Sequence, residues 1–165
     1  MKKTFTFLIL IVFNLGFSQT EMEIKKSYEK LAKEYLTEFY INKNYESGSE
    51  IWDDGMFKEI QNLYNKSEKN NSSELTLKDK IKIDVKKYFK QLTSFKIDQI
   101  LGSEIENWNK KNIVSVFVEY SETLNGKLET TRSMIIFIPS DDGKTWTIQD
   151  WKVKDIVKKC NEGLY

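Results

Sequence analysis

Three charged residues in the last third of the chain, Glu119, Arg132 and Asp150, have types that could form a polar site. Arg132 is the only arginine in the sequence. A guanidinium flanked by two carboxylates could hold the polar end of a small ligand. In a dry site, one carboxylate could also have its pKa raised towards use as a general base. The alternative, which we favour, is a cross-strand ion pair at the solvated end of a sheet, worth well under ~1 kcal/mol.

Two turn signals predict the strands that would position these side chains. Asn125-Gly126 is a strong hairpin signal because both residues tolerate positive φ. Residues 140–144, Ser-Asp-Asp-Gly-Lys, carry similar turn chemistry. The flanking segments are rich in β-branched and aromatic residues, which suit a pleated surface. Residues 113–153 are therefore predicted to form three antiparallel strands.

Cross-strand pairing follows by counting outward from each turn. A two-residue loop at 125–126 places Glu119 opposite Arg132, and a second turn closed between residues 140 and 144 places Asp150 opposite Met134. One face would then have an apolar half and a charged half. The candidate ligand-binding residues on this face are Phe117, Glu119, Arg132, Trp146 and Asp150. A one-residue change in either loop would undo the arrangement, because it moves every side chain to the other face.

Three helices are predicted upstream of these strands. The first begins at a capping box formed by Thr20 and Glu23 and runs to about residue 41. A second spans about 51–65, and a third, capped by Thr76 with Asp79, spans about 76–92. A strand with a bend near 101–102 follows over 94–106. The fold class is therefore α+β: three N-terminal helices packed on a curved, four-stranded antiparallel meander sheet.

Residues 1–18 have the pattern of a signal peptide. Lys2 and Lys3 form a basic n-region, an apolar run follows, and Gly16 and Ser18 supply the small residues of a cleavage site. The apolar run is shorter than the ~20 residues of a membrane span. The expectation is export to the periplasm or the medium, with residues 19–165 forming a single domain that has no membrane attachment after cleavage.

Composition removes several kinds of chemistry. The chain has no histidine and one cysteine, Cys160, so it lacks Ser-His and Cys-His nucleophile pairs and an internal disulfide. No metal site or cofactor is predicted. Positive and negative charges are nearly balanced and interspersed, with 26 Lys and Arg against 25 Asp and Glu. This balance is unlike the basic face of a nucleic-acid-binding protein, so we expect no nucleic-acid partner.

The order of elements resembles the nuclear transport factor 2-like superfamily. The resemblance comes from a long amphipathic N-terminal helix, two shorter helices and long bent strands that end in residues 143–151, Gly-Lys-Thr-Trp-Thr-Ile-Gln-Asp-Trp. It implies a cone in which helices close part of a curved sheet around a pocket, and a convex side that often dimerises. The superfamily includes isomerases, dehydratases and cyclases as well as members without known activity. The chain departs from the usual order because it lacks a clear short strand between its second and third helices.

Three functions follow as hypotheses. The first is non-catalytic binding of a small molecule or a protein through the cone pocket or the sheet. The second is a cofactor-free isomerase or dehydratase with Glu119 or Asp150 as base. The third is an inhibitory or immunity-type module that neutralises a protein partner. The sheet is apolar on both faces and helices can cover only one, so a homodimer through the sheet is also predicted unless the C-terminal segment covers the other face.

Overall fold

The computed structural model describes residues 20–66, 75–108, 111–140 and 145–165, so the predicted signal peptide and most of the predicted loop at 66–74 lie outside the described residues. The elements are α1 Glu21–Leu36 with a π-helical turn Thr37–Ile41, α2 Tyr45–Ser49, α3 Asp54–Lys66, α4 Leu77–Gln91, β1 Leu92–Trp108, β2 Lys111–Leu124, β3 Lys127–Pro139, β4 Trp146–Asp150 and α5 Trp151–Asn161. No helix in these ranges is long and apolar enough to span a membrane.

The α+β class and the four-stranded antiparallel sheet are confirmed. The strands lie in the order β1-β2-β3-β4, each antiparallel to its neighbour. Asn125 and Gly126 adopt φ values of 51° and 80°, as the predicted two-residue turn requires. The predicted irregularity in β1 is present between Ile100 and Gly102, with two further register shifts nearer the start of that strand.

The helices fit the prediction in part. Both capping boxes, at Thr20 and Thr76, are present. The segment between the first two predicted helices contains the short helix α2, so the described residues have four α-helices before the sheet rather than the predicted three. The helix predicted from residue 51 begins at Asp54, because Ile51 and Asp53 bond to β4 instead. The Ile148 N–H donates to the Ile51 carbonyl at 2.7 Å, and the Asp53 N–H donates to the Ile148 carbonyl at 2.8 Å.

The last predicted strand is shorter than expected. It ends at Asp150, whose side chain accepts a hydrogen bond from the Lys152 N–H and so caps α5. The apolar residues after Asp150 therefore follow a helical period rather than a strand period. Trp151 is half exposed, whereas Val153, Ile156 and Val157 on α5 are fully buried.

The helices pack on one face of the sheet, which we term the inner face, although Ile113, Ser115 and Ile138 on the opposite face are also buried. On β2 the inner face carries Val114, Val116, Val118, Tyr120 and Glu122, all buried. Helices α1, α4 and α5 pack on this side of the sheet. The opposite side, termed the outer face, carries the alternate residues of β2 and their partners on β3. Helix α5 belongs to the inner layer, so it does not cover the outer face as the sequence had allowed.

We expect Gly48→Ala to lower the free energy of unfolding by about 1–3 kcal/mol, because it overpacks the core. A Cβ atom at Gly48 would lie 2.2 Å from Cδ2 of Phe39, a fully buried ring in contact with the rings of Tyr35 and Trp52. Urea denaturation measures the change. Ser47→Ala on the same helix is the matched control, and an equal loss in both variants would contradict the close contact.

Candidate functional site

The outer face brings together three of the five predicted site residues. Glu119 lies opposite Arg132 and Phe117 opposite Met134, so the predicted register of the first hairpin is correct. Arg132 Nε donates to Glu119 Oε2 at 2.9 Å, with the Arg132 side chain 73% exposed and that of Glu119 24% exposed. An ion pair this exposed is worth at most about 1 kcal/mol.

The predicted register of the second hairpin is wrong by one residue. Asp150 lies opposite Ile135, and Trp146 lies opposite Pro139. The Ser140 N–H donates to the Thr145 carbonyl at 2.9 Å and closes the turn. The connection is therefore one residue longer than expected. This single residue moves Trp146 and Asp150 to the inner face, away from Arg132. Trp146 packs against the Phe137 ring at 5.1 Å between centroids.

Asp150 is instead the centre of a buried hydrogen-bond network. Its Oδ2 accepts from the hydroxyls of Tyr35 at 2.9 Å and Tyr40 at 2.7 Å, and its Oδ1 accepts from the Lys152 N–H at 2.8 Å. Trp52 Nε1 donates to the Tyr35 hydroxyl at 3.1 Å. Asp150 is 1% exposed. Burial raises the pKa of this carboxyl, although the two tyrosines, the Lys152 N–H and the Lys152 charge oppose the shift.

The π-helical turn explains how two tyrosines five residues apart reach one oxygen atom. Residues i and i+5 point in different directions on an α-helix. Between Thr37 and Ile41 the chain takes an i→i+5 pattern, in which the Asn42 N–H donates to the Thr37 carbonyl at 2.9 Å. The wider turn brings Tyr40 towards the face that already carries Tyr35. A prediction that extended one regular helix to residue 41 could not anticipate this.

A buried ion pair lies beside Asp150. Lys152 Nζ is 2.8 Å from Glu122 Oε1 and 2.7 Å from Oε2, and the two side chains are 2% and 3% exposed. The Tyr88 hydroxyl also donates to Glu122 Oε2. Burial lowers the pKa of Lys152, although the Glu122 charge and hydrogen bond oppose that shift. Burial and the Glu122 charge raise the pKa of Tyr88, which keeps its hydroxyl protonated.

Aromatic rings surround the ammonium group. Lys152 Nζ lies 4.6 Å from the ring centre of Tyr120 and 4.8 Å from that of Tyr88, with Tyr40 and Phe95 within 6 Å. Each ring face is electron-rich and attracts a cation. The side chains that form this cluster, termed the inner polar cluster, are Tyr35, Tyr40, Tyr88, Tyr120, Glu122, Asp150 and Lys152.

Sequence reasoning missed most of the inner polar cluster. Glu122 shares the strand parity of Val118 and Tyr120, so a signal for its burial was present in the alternation. Lys152 had no such signal while residues 151–153 were assigned to a strand. The cluster joins groups from α1, α4, β2, β4 and α5, and it contains two carboxylates and one ammonium. All its charged groups are almost completely removed from solvent.

We expect the stability of the wild-type protein relative to Asp150→Asn to fall as the pH rises from about 4 towards neutrality. The folded-state pKa of Asp150 is raised above its ordinary value of 3.8. The protonated form therefore favours folding, and its contribution is complete below the unfolded pKa and lost as the pH passes the folded one. Asparagine cannot ionise, and Lys152 is present in both proteins.

Urea denaturation at a series of pH values from 3.5 to 8 measures this difference in the free energy of unfolding (the range brackets the ordinary carboxyl pKa of about 4). Asp98→Asn is the control, since that carboxylate is exposed and its pKa is lowered by Ser121 and Lys96. A wild-type advantage over Asp150→Asn that grows with pH would contradict the expected sign.

No family model matches the chain, and no curated protein or solved structure matches it significantly.

Proposed function

We propose that the protein is a non-catalytic binding protein that recognises another protein through the outer face of its sheet. The observation that carries the proposal is the division of polar and apolar groups between the two faces. The inner polar cluster is enclosed and its carboxylates are hydrogen-bonded within the protein. The outer face presents partly exposed apolar side chains next to an exposed guanidinium.

The outer face changes in character along the strands. One end carries Phe117, Met134 and Ile136, which are apolar and only partly buried. The opposite end is polar, with Ser121 and Thr130 bonded through their hydroxyls at 2.8 Å. The Glu119–Arg132 pair lies between the two ends. Phe, Met and Arg are enriched in protein–protein interfaces, which combine apolar side chains with polar ones.

The enzyme hypothesis has less support. Its two candidate bases, Glu119 and Asp150, lie on opposite faces of the sheet and do not share a site. Asp150 is held by three donors and is 1% exposed, so a substrate would have to displace those contacts to reach it. The same enclosure argues against a small-molecule ligand held next to Asp150.

We also propose that the fold belongs to the nuclear transport factor 2-like superfamily and that residues 1–18 direct export. The helix-then-sheet order supports the first proposal. The short strand that is usual in that superfamily would fall between the second and third predicted helices, mostly outside the described residues. The second proposal rests on the basic, apolar and small-residue pattern of residues 1–18 alone.

Photo-crosslinking tests the binding surface. A benzophenone side chain at Arg132, at the centre of the outer face, should give a discrete adduct with a partner in the exported protein fraction of the host. The same group at Lys86, exposed on α4, is the matched control. Excess wild-type protein should compete for the adduct, and Met134→Glu should compete about tenfold less well or worse, since it places a charge at the apolar end of the outer face.

Equal crosslinking from positions 132 and 86, or equal competition by wild type and Met134→Glu, would contradict the proposal. A product containing two copies of this chain would assign the outer face to the homodimer predicted from the sequence rather than to a different protein. Light scattering of the purified protein at micromolar concentration identifies that outcome independently.

A further inference from the structure

The ion pair between Lys152 and Glu122 brings an amine nitrogen and a carboxyl group into direct contact. The Lys152 nitrogen is 2.7 Å from one Glu122 oxygen and 2.8 Å from the other. Nearly equal distances place the nitrogen opposite the carboxyl carbon, rather than beyond one end of the carboxylate. A small displacement of the nitrogen out of the plane of the carboxylate would place it over the face of Cδ, which is the approach that attack on carbon requires.

The surroundings exclude water from both groups. The side chains are 2% and 3% exposed, so little water competes for either partner. Burial lowers the pKa of Lys152, and the unprotonated amine is the nucleophilic form of lysine. The rings of Tyr88 and Tyr120 enclose the nitrogen. Exclusion of water also opposes hydrolysis of any amide formed in this position.

A hydrogen-bond donor is already directed at the carboxyl group. The Tyr88 hydroxyl donates to Glu122 Oε2, and its raised pKa keeps the proton on the phenol. A donor in this position stabilises the negative charge that develops on the oxygen when a nucleophile adds to the carbon. Amine, carboxyl group and donor are thus assembled in one enclosed volume, from α5, β2 and α4.

We propose that Lys152 and Glu122 condense to an isopeptide bond that joins α5 covalently to β2. The ammonium first transfers one proton to the carboxylate, giving an amine and a carboxylic acid. The nitrogen lone pair then forms a bond to Cδ, and Tyr88 holds the oxygen that becomes negative. A second proton leaves the nitrogen for the carboxyl hydroxyl, the C–O bond breaks, and water departs. The ion pair becomes one amide and one water, so no oxidant or cofactor is needed.

The bond would link the sheet to the last helix in a chain that has no second cysteine for a disulfide. It would close the loop between residues 122 and 152, which includes β3 and β4. A covalent cross-link of this kind limits the conformations of the unfolded chain, as a disulfide does. The proposal depends only on contacts within the inner polar cluster and is independent of binding at the outer face.

Intact mass spectrometry of the folded, purified protein is the direct test. The expected mass is that of the chain, from its observed N-terminus, less one water. Trypsin should leave the bond after Lys152 uncut, so that peptide 145–154 is recovered linked to peptide 112–127. A wild-type mass without loss of water, with residues 122 and 152 in separate peptides, would overturn the proposal.

Two variants identify the reacting groups. Lys152→Arg keeps the positive charge but lacks the amine, and its mass should not fall. In Glu122→Gln the leaving group is ammonia, so the mass should fall by one ammonia instead of one water. Loss of water in Glu122→Gln would show that another carboxyl group reacts and would refute the assignment.

A refolding time course of the wild-type protein tests the proposal even if one of these variants does not fold. Wild-type protein recovered unfolded should have the full mass and should lose water only after refolding begins. Tyr88→Phe should slow that loss by about 100-fold, the effect of removing one donor to a developing oxyanion. A loss of water that precedes folding, or an unchanged rate in Tyr88→Phe, would contradict the assembled site.

Discussion

The burial of Asp150, Glu122 and Lys152 in one cluster is the constraint on which the rest of the structure depends. Removing a charge from water costs several kcal/mol unless other groups replace the lost hydration. Here the replacement comes from the Tyr35 and Tyr40 hydroxyls, the Tyr88 hydroxyl and the start of α5. These donors come from α1 with its π-helical turn, from α4 and from α5, so the cluster forms only when the helical layer and the sheet are both in place.

The sheet separates two kinds of surface by alternation along each strand. Along β2 the inner face carries three valines followed by Tyr120 and Glu122, and all five residues are buried beneath the helices. The outer face passes from Phe117 to the Glu119–Arg132 pair and remains partly exposed. The charged groups whose pKa values are shifted by burial are therefore enclosed, while partly exposed groups lie on the other side. This separation supports the proposed binding function rather than the catalytic hypothesis.

Local chemistry made part of the fold and part of the candidate site predictable. Thr20 and Thr76 start helices because their side chains replace bonds that the first turn lacks. Asn125-Gly126 sets a two-residue turn, and that turn alone pairs Glu119 with Arg132. The second turn could not be predicted in the same way, because the residues at 140–144 are compatible with more than one loop length. An error of one residue there moved Asp150 and Trp146 to the wrong face.

The sequence by itself determined the α+β class, the antiparallel order of the strands and the outer-face ion pair, because each depends on residues close in the chain or on a single tight turn. Only the tertiary structure decided the environment of Asp150. That environment depends on a π-helical turn at 37–41, on a helix that begins where a strand was expected, and on partners more than 100 residues away in sequence. Desolvation is a property of everything packed around a group, so a carboxylate that looks like a surface residue in sequence can become the centre of the core.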